Sequence, residues 1–177
     1  MAEQQGLNVV ADLMCLAART APKARGIDVI LIRTLDEAER AQIADAMGSF
    51  AHQTDQPYFL RDAQNLRASG ACVLLAAKNQ RAALLHCGFC GFENCAANAA
   101  AGGVCSFNQI DLGIAASSAA SVAALHHADC RLMYTVGLLA RRLGFFDEST
   151  VGALGIPLSA TGKSPFFDRA MPTLNKE

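Results

Sequence analysis

Apolar residues recur every three to four positions near the start of the chain. Val9, Leu13 and Leu16 share one helical face and Val10 with Met14 widens it, so residues 7–20 read as an amphipathic helix that Pro22 brings to an end. Two short runs, 29–32 and 71–77, are apolar without alternation, the pattern of strands covered on both faces. A third strand fits 151–158, where Pro157 points to an edge position. Thr34 and Glu37 have capping-box spacing and predict a helix over 36–50, with Ile43 and Met47 inward; 58–68 reads as another. Further on, 93–102 is a short helix broken by Gly102 and Gly103. The stretch 110–125 is a helix of Ala, Ser and Gly whose small side chains predict close packing on a neighbour. A last helix, 130–143, has Asp129 as its N-cap and Gly144 as its stop. The elements add up to helices over a small sheet, an α+β domain.

Cysteine usage changes the picture from architecture to chemistry. Of seven cysteines, Cys87, Cys90, Cys95 and Cys105 fall in one stretch with the spacing C-x2-C-x4-C-x9-C. Thiolates are soft ligands, and four of them complete an iron–sulfur cluster or a tetrahedral zinc site. Zinc sites usually pair two knuckles, whereas here one knuckle is followed by a third cysteine and a distant fourth. The spacing therefore favours a [4Fe–4S] cluster, with zinc as the alternative metal and metal-free redox thiols as a further one. Around the ligands, Phe89, Phe92 and an alanine-rich run leave Glu93 as the single charge between Cys87 and Cys105, a dry shell suited to a redox centre. His86 adjoins the first ligand, and Cys72 lies inside the central apolar run as a core residue.

The stretch 87–145, together with ARTAPKARGID near the start and GIPLSATGKSPFFDR near the end, resembles an uncharacterised bacterial and archaeal family described as containing a ferredoxin domain. More distantly, the layout is similar to a reduced flavin-dependent nitroreductase. The resemblance implies a single nitroreductase-like domain over 1–177, its helices packed on a small mixed β-sheet, with an inserted four-cysteine cluster loop at 87–105. It also admits FMN. Those flavoenzymes commonly carry paired arginines before the first helix, and MAEQQG has no basic residue.

Two basic places could hold a phosphate. Arg19, Lys23 and Arg25 cluster at the turn after the first helix, and Lys163 and Arg169 lie in a tail rich in hydroxyls and glycine. If a phosphate-bearing cofactor binds, these five cations are expected to converge on it. The alternative is a solvated helix end, whose cations meet the dipole, and a tail tethered by partners such as Asp168.

A formal charge of −1 with scattered basic residues leaves no electrostatic footprint for nucleic acid or anionic lipid. No apolar run is long enough to span a membrane and MAEQQGLN lacks the regions of a signal peptide, so a cytoplasmic location is expected. Neither a Ser-His-Asp arrangement nor a dinucleotide fingerprint is present. Three functions fit: a redox enzyme acting on a small-molecule substrate, a cluster-only carrier or sensor with a redox partner, and a zinc-stabilised interaction module. A homodimer is expected from the small-residue helix.

Overall fold

The computed structural model describes residues 2–167 and 171–173. Its elements run α1 (Ala2–Thr20), β1 (Ile30–Thr34), α2 (Glu37–Thr54), α3 (Pro57–Ala68), β2 (Ala71–Lys78), α4 (Cys95–Ala100), α5 (Ser106–Leu125), β3 (Asp129–Cys130), α6 (Tyr134–Arg142) and β4 (Thr150–Ser159). The α+β architecture expected from the pattern is present. The sheet has the order β1-β2-β4-β3 and every pairing is antiparallel, which corrects the expected mixed sheet. The reason lies in the connection: two helices in succession, α2 and α3, return the chain to the end at which β1 stops, so Thr34 pairs with Val73 and β2 runs back alongside.

β2 is central and buried from Ala71 to Ala77. Its side chains alternate between two layers. Val73, Leu75 and Ala77 meet α1 and α5, while Cys72 and Leu74 meet α2, α3 and α6. α1 buries Leu7, Val10, Ala11, Met14 and Ala18. Val9 and Leu16, expected on the inward face, are exposed, because the stripe that meets the sheet is the one through Val10 and Met14. The small-residue helix does pack closely, on α1, presenting Leu112, Ala115, Ala116, Ala119 and Ala123.

Three boundaries differ from expectation for identifiable reasons. Thr34 is still in β1, so the capping box of α2 is formed by Asp36 and Glu39, whose side chains reach each other's backbone N–H at 2.8 and 3.0 Å. Asp129 and Cys130 do not start a helix but pair with Ser159 and Leu158, and α6 begins only at Tyr134. α5 begins at Ser106, well ahead of Ile110. Pro157 is tolerated inside β4 because of what it faces. Gly155 exchanges both backbone hydrogen bonds with Met133, at 2.8 and 3.0 Å, and Pro157, two residues on, turns its nitrogen to the same side. Its position is opposite 131–132, where the neighbouring segment has left the sheet. None of the helices among the described residues is long and apolar enough to cross a membrane.

Candidate metal centre

The chain leaves β2 and passes through 79–82 before the cysteines begin. This passage has no regular partner strand, so side chains satisfy its backbone instead. Asn108 of α5 acts as a substitute strand edge: its Oδ1 accepts the Gln80 N–H at 3.2 Å and its Nδ2 donates to the Gln80 carbonyl at 2.8 Å. Arg25 Nη1 donates to the Ala82 carbonyl at 2.7 Å.

From this root the four cysteines are carried on three pieces of backbone. Cys87 and Cys90 lie in the irregular stretch that follows, Cys95 opens α4, and Cys105 is the N-cap residue of α5. Ser106 Oγ donates to the Phe89 carbonyl at 3.0 Å, tying the first piece to the start of α5, and the Phe89 and Phe107 rings meet with centroids 5.3 Å apart. Asn94 caps α4 through the Ala97 N–H at 2.9 Å. Asn98, one turn after Cys95 and 1% exposed, binds the third piece: its Nδ2 donates to the Val104 carbonyl at 3.1 Å and its own carbonyl accepts the Gly103 N–H at 2.8 Å. A Cβ at Gly103 would stand 2.6 Å from Asn98 Nδ2, so glycine is required there for this approach. Arg81 closes the arrangement, with Nε on Asn98 Oδ1 at 2.8 Å and Nη2 on the Gly103 carbonyl at 3.1 Å.

All seven cysteines are free thiols. Among the described residues no three His, Cys, Asp or Glu side chains converge as a ready-made metal site. The donor set is of the soft-thiolate kind that an iron–sulfur cluster or zinc takes, and the three pieces that carry it are tied to one another. The remaining cysteines differ in kind. Burial pushes the Cys72 thiol up to about 12, and burial together with Asp12 and Asp129 raises Cys15 and Cys130, so all three stay protonated and poor ligands. His86 is exposed.

The basic turn is engaged within the fold. Arg19 forms an ion pair with Asp28 and donates to the Ile30 carbonyl at 2.9 Å. Lys23 Nζ donates to the Ala18 and Arg19 carbonyls at 2.7 and 2.5 Å, capping the end of α1. The turn also reaches α5: both oxygens of the buried Asp111 accept the Ala24 N–H, at 3.0 and 3.1 Å. Burial raises the Asp111 pKa against the opposing pull of that N–H and of Lys23. The turn that sequence marks as a phosphate candidate thus braces the root of the cysteine segment, through Arg25 to Ala82 and Ala24 to Asp111.

Lys163 is elsewhere. Gln4 donates to the Gly70 carbonyl at 2.7 Å and Gly70 N–H to Leu158, so the start of α1 lies where β4 ends, whereas Arg19 at its other end lies beside Ile30. Gln4 and Arg19 stand about 22 Å apart along α1, and 159–163 can span at most about 14 Å. The structure brings Arg19, Lys23 and Arg25 together and does not bring Lys163 to them; Arg169 and Asp168 lie outside the described residues. Beyond Lys163 the tail is anchored by Phe166, fully buried in the α2–α3–α6 layer, whose carbonyl accepts from Arg131 at 3.2 Å. Arg131 therefore tethers the tail, and Tyr134 is largely exposed beside Tyr58 and Phe59.

The Arg19–Asp28 pair gives a pH signature. Burial works against the Asp28 charge, but the Arg19 hydrogen bond and the Ile30 N–H outweigh it and hold the carboxyl below its ordinary range. A lowered folded pKa stabilises the fold above the unfolded value and loses that contribution as pH falls through the folded one. Asp28→Asn should therefore cost about 0.5 kcal/mol near neutrality, the scale of a half-exposed pair. The difference from wild type, read by urea unfolding across pH, should close below about pH 3.9.

Comparison with known proteins places this fold. Nitroreductase A from Vibrio parahaemolyticus superposes with a TM-score of 0.58 at 14% identity, over 93% of this chain and 63% of that one. The NADPH:FMN oxidoreductase from Vibrio harveyi, complexed with NAD+, gives 0.60 at 13% identity over 93% and 64%. A putative NADH dehydrogenase/NAD(P)H nitroreductase from Bacteroides thetaiotaomicron gives 0.58 at 13% identity over 96% and 80%. The chain has a nitroreductase-like fold and spans less than two thirds of the two Vibrio structures. A family model described as "Uncharacterized protein containing a ferredoxin domain (DUF2148)" matches residues 101–169, which takes in Cys105. An uncharacterized protein from Archaeoglobus fulgidus is 42% identical over 176 residues, covering 95% of this chain and 94% of its own. The chain belongs to this ferredoxin-domain family.

Arg81, Asn98 and Asn108 were not singled out by sequence reasoning. Their signal was faint but present: Asn98 is the one polar residue in the helix CAANAA, and Arg81 is a solitary cation between the central strand and the cysteines.

Proposed function

We propose that this is an iron–sulfur redox protein in which Cys87, Cys90, Cys95 and Cys105 hold one [4Fe–4S] cluster. The observation that carries it is that hydrogen bonds tie the three cysteine-bearing pieces of backbone to one another, within a chain of the ferredoxin-domain family. Such a cluster supplies one-electron transfer when bound. The chain's own contribution is to supply four soft donors and to place the last of them, Cys105, at the N-terminus of α5. Leu85 and Phe89, 87% and 71% exposed, leave an apolar rim beside the cysteines on which a redox partner could dock. Anaerobic purification with iron, acid-labile sulfide and zinc analysis tests the reading: iron and sulfide in cluster stoichiometry support it, and zinc without sulfide replaces it by the zinc-stabilised module.

A second reading adds FMN and is favoured by the fold shared with the Vibrio harveyi NADPH:FMN oxidoreductase. Arg19, Lys23 and Arg25 would then hold its phosphate in exchange for the carbonyls and the carboxylate they now bind, without Lys163. Titrating FMN into cluster-loaded wild type and Arg25→Ala decides it: saturable binding that the substitution weakens supports this site, and the absence of saturable binding rejects it.

A further inference from the structure

Arg81 is half-buried, and among the described residues no carboxylate lies within ion-pair distance of it. Its guanidinium is spent on two neutral acceptors, Asn98 Oδ1 and the Gly103 carbonyl. An uncharged donor could satisfy both. A partly desolvated cation held at one place without a counter-ion is costly unless an anion stands nearby. Within 83–105 the one acidic side chain is Glu93, which is exposed and makes no ion pair among the described residues. What surrounds Arg81 instead is the cysteine segment. One acceptor lies on α4 a single turn from Cys95, and the other lies two residues before Cys105.

We propose that Arg81 is the fixed counter-charge of the cysteine centre as well as its brace, an inference that rests on the cluster reading above. A thiolate-ligated cluster is anionic, and when one electron from an external donor enters it the negative charge grows by one and no bond is made or broken. A guanidinium held by a planar fork on Asn98 Oδ1 and the Gly103 carbonyl favours the reduced form, and ties the piece that carries Cys95 to the one that leads to Cys105 while doing so. Asn98 is the partner that aims it, since its amide serves Arg81 on one side and the Val104 carbonyl on the other.

The test uses the full chain, loaded anaerobically, as wild type, Arg81→Gln, Arg81→Lys and the remote surface control Arg67→Gln. Each is titrated with dithionite as the one-electron donor, with electron paramagnetic resonance of the reduced centre as the readout and iron per chain measured alongside. Arg81→Gln should lower the equilibrium constant for reduction about tenfold, or about 59 mV for one electron, the scale of one unit charge acting over about 12 Å at an effective dielectric of about 20. Arg81→Lys keeps the charge and should keep the wild-type potential while loading less iron, because an ammonium cannot hold both acceptors as a fork. Arg67→Gln should change neither. If Arg81→Gln loads and shows the wild-type potential, Arg81 is a strut alone and the counter-charge is overturned. If Arg81→Gln does not load, Arg81→Lys decides: a centre at the wild-type potential supports the proposal, and failure to load overturns it. A wild type devoid of iron and sulfide removes the cluster reading and the counter-charge together, an outcome distinct from a loaded wild type with an unshifted variant.

Discussion

Cys105→Ala is expected to abolish stable cluster loading, and Cys87→Ala, Cys90→Ala and Cys95→Ala to do the same or leave a degraded centre. Removing a group that only orients a metal ligand already costs about 10- to 100-fold in metal affinity, so removing a ligand should exceed that. Cys105 is buried at the N-cap of the 20-residue α5 but its side chain makes no cap hydrogen bond there, so the loss on substitution should be read in cluster loading rather than in the helix. Cys15→Ala, Cys72→Ala and Cys130→Ala supply the contrast. Their thiols are held protonated by burial, Cys72 and Cys130 pack in the two core layers, and their replacement should leave iron and sulfide per chain at the wild-type value. Full sulfide retention in Cys105→Ala would overturn the ligand assignment.

Gly137→Ala should be the most damaging conservative change in the fold. α6 lies on β4 so closely that a Cβ at Gly137 would stand 2.0 Å from the Ala153 carbonyl oxygen and 2.6 Å from the Leu154 nitrogen. These are backbone atoms of a strand paired to the centre of the sheet, so no rotamer change relieves the contact and the helix itself must move. Overpacking of this kind costs about 3 kcal/mol, which should appear as a lower urea midpoint at unchanged slope. Gly113→Ala, in α5 with open space around it, should instead be neutral or slightly stabilising, as replacing glycine within a helix usually is.

The central strand was legible because it is buried on both faces: the apolar run at 71–77 marks β2 to within one residue. Misreadings came where a local signal had two equally good addresses. Thr34/Glu37 and Asp36/Glu39 both have capping-box spacing, and the pairing of Thr34 with Val73 selects the second. Asp129 is an acceptable N-cap in isolation, yet its backbone is claimed by Ser159, thirty positions away in sequence. The four-cysteine spacing, and the ligand set proposed from it, could be read from the sequence alone. What could not be read is how that segment is held, because all but one of the partners of Arg81, Asn98 and Asn108 are backbone carbonyls and N–H groups, which carry no mark in the sequence. The basic turn shows the same limit: its charges are visible in the sequence, while the carbonyls of Ala18, Ala82 and Ile30 that engage them are not.

None of the four clustered cysteines belongs to either layer of core side chains on the two faces of the sheet. In small zinc domains the free energy of metal binding is the free energy of folding, and the metal-free chain is a coil. Here the two hydrophobic layers are built without any of the four, so under the cluster reading proposed above the folded chain would form its receptacle first and receive its inorganic part afterwards. Under that reading a damaged centre would be stripped and rebuilt without passing through an unfolded chain, so that repair would wait on cofactor delivery rather than on translation.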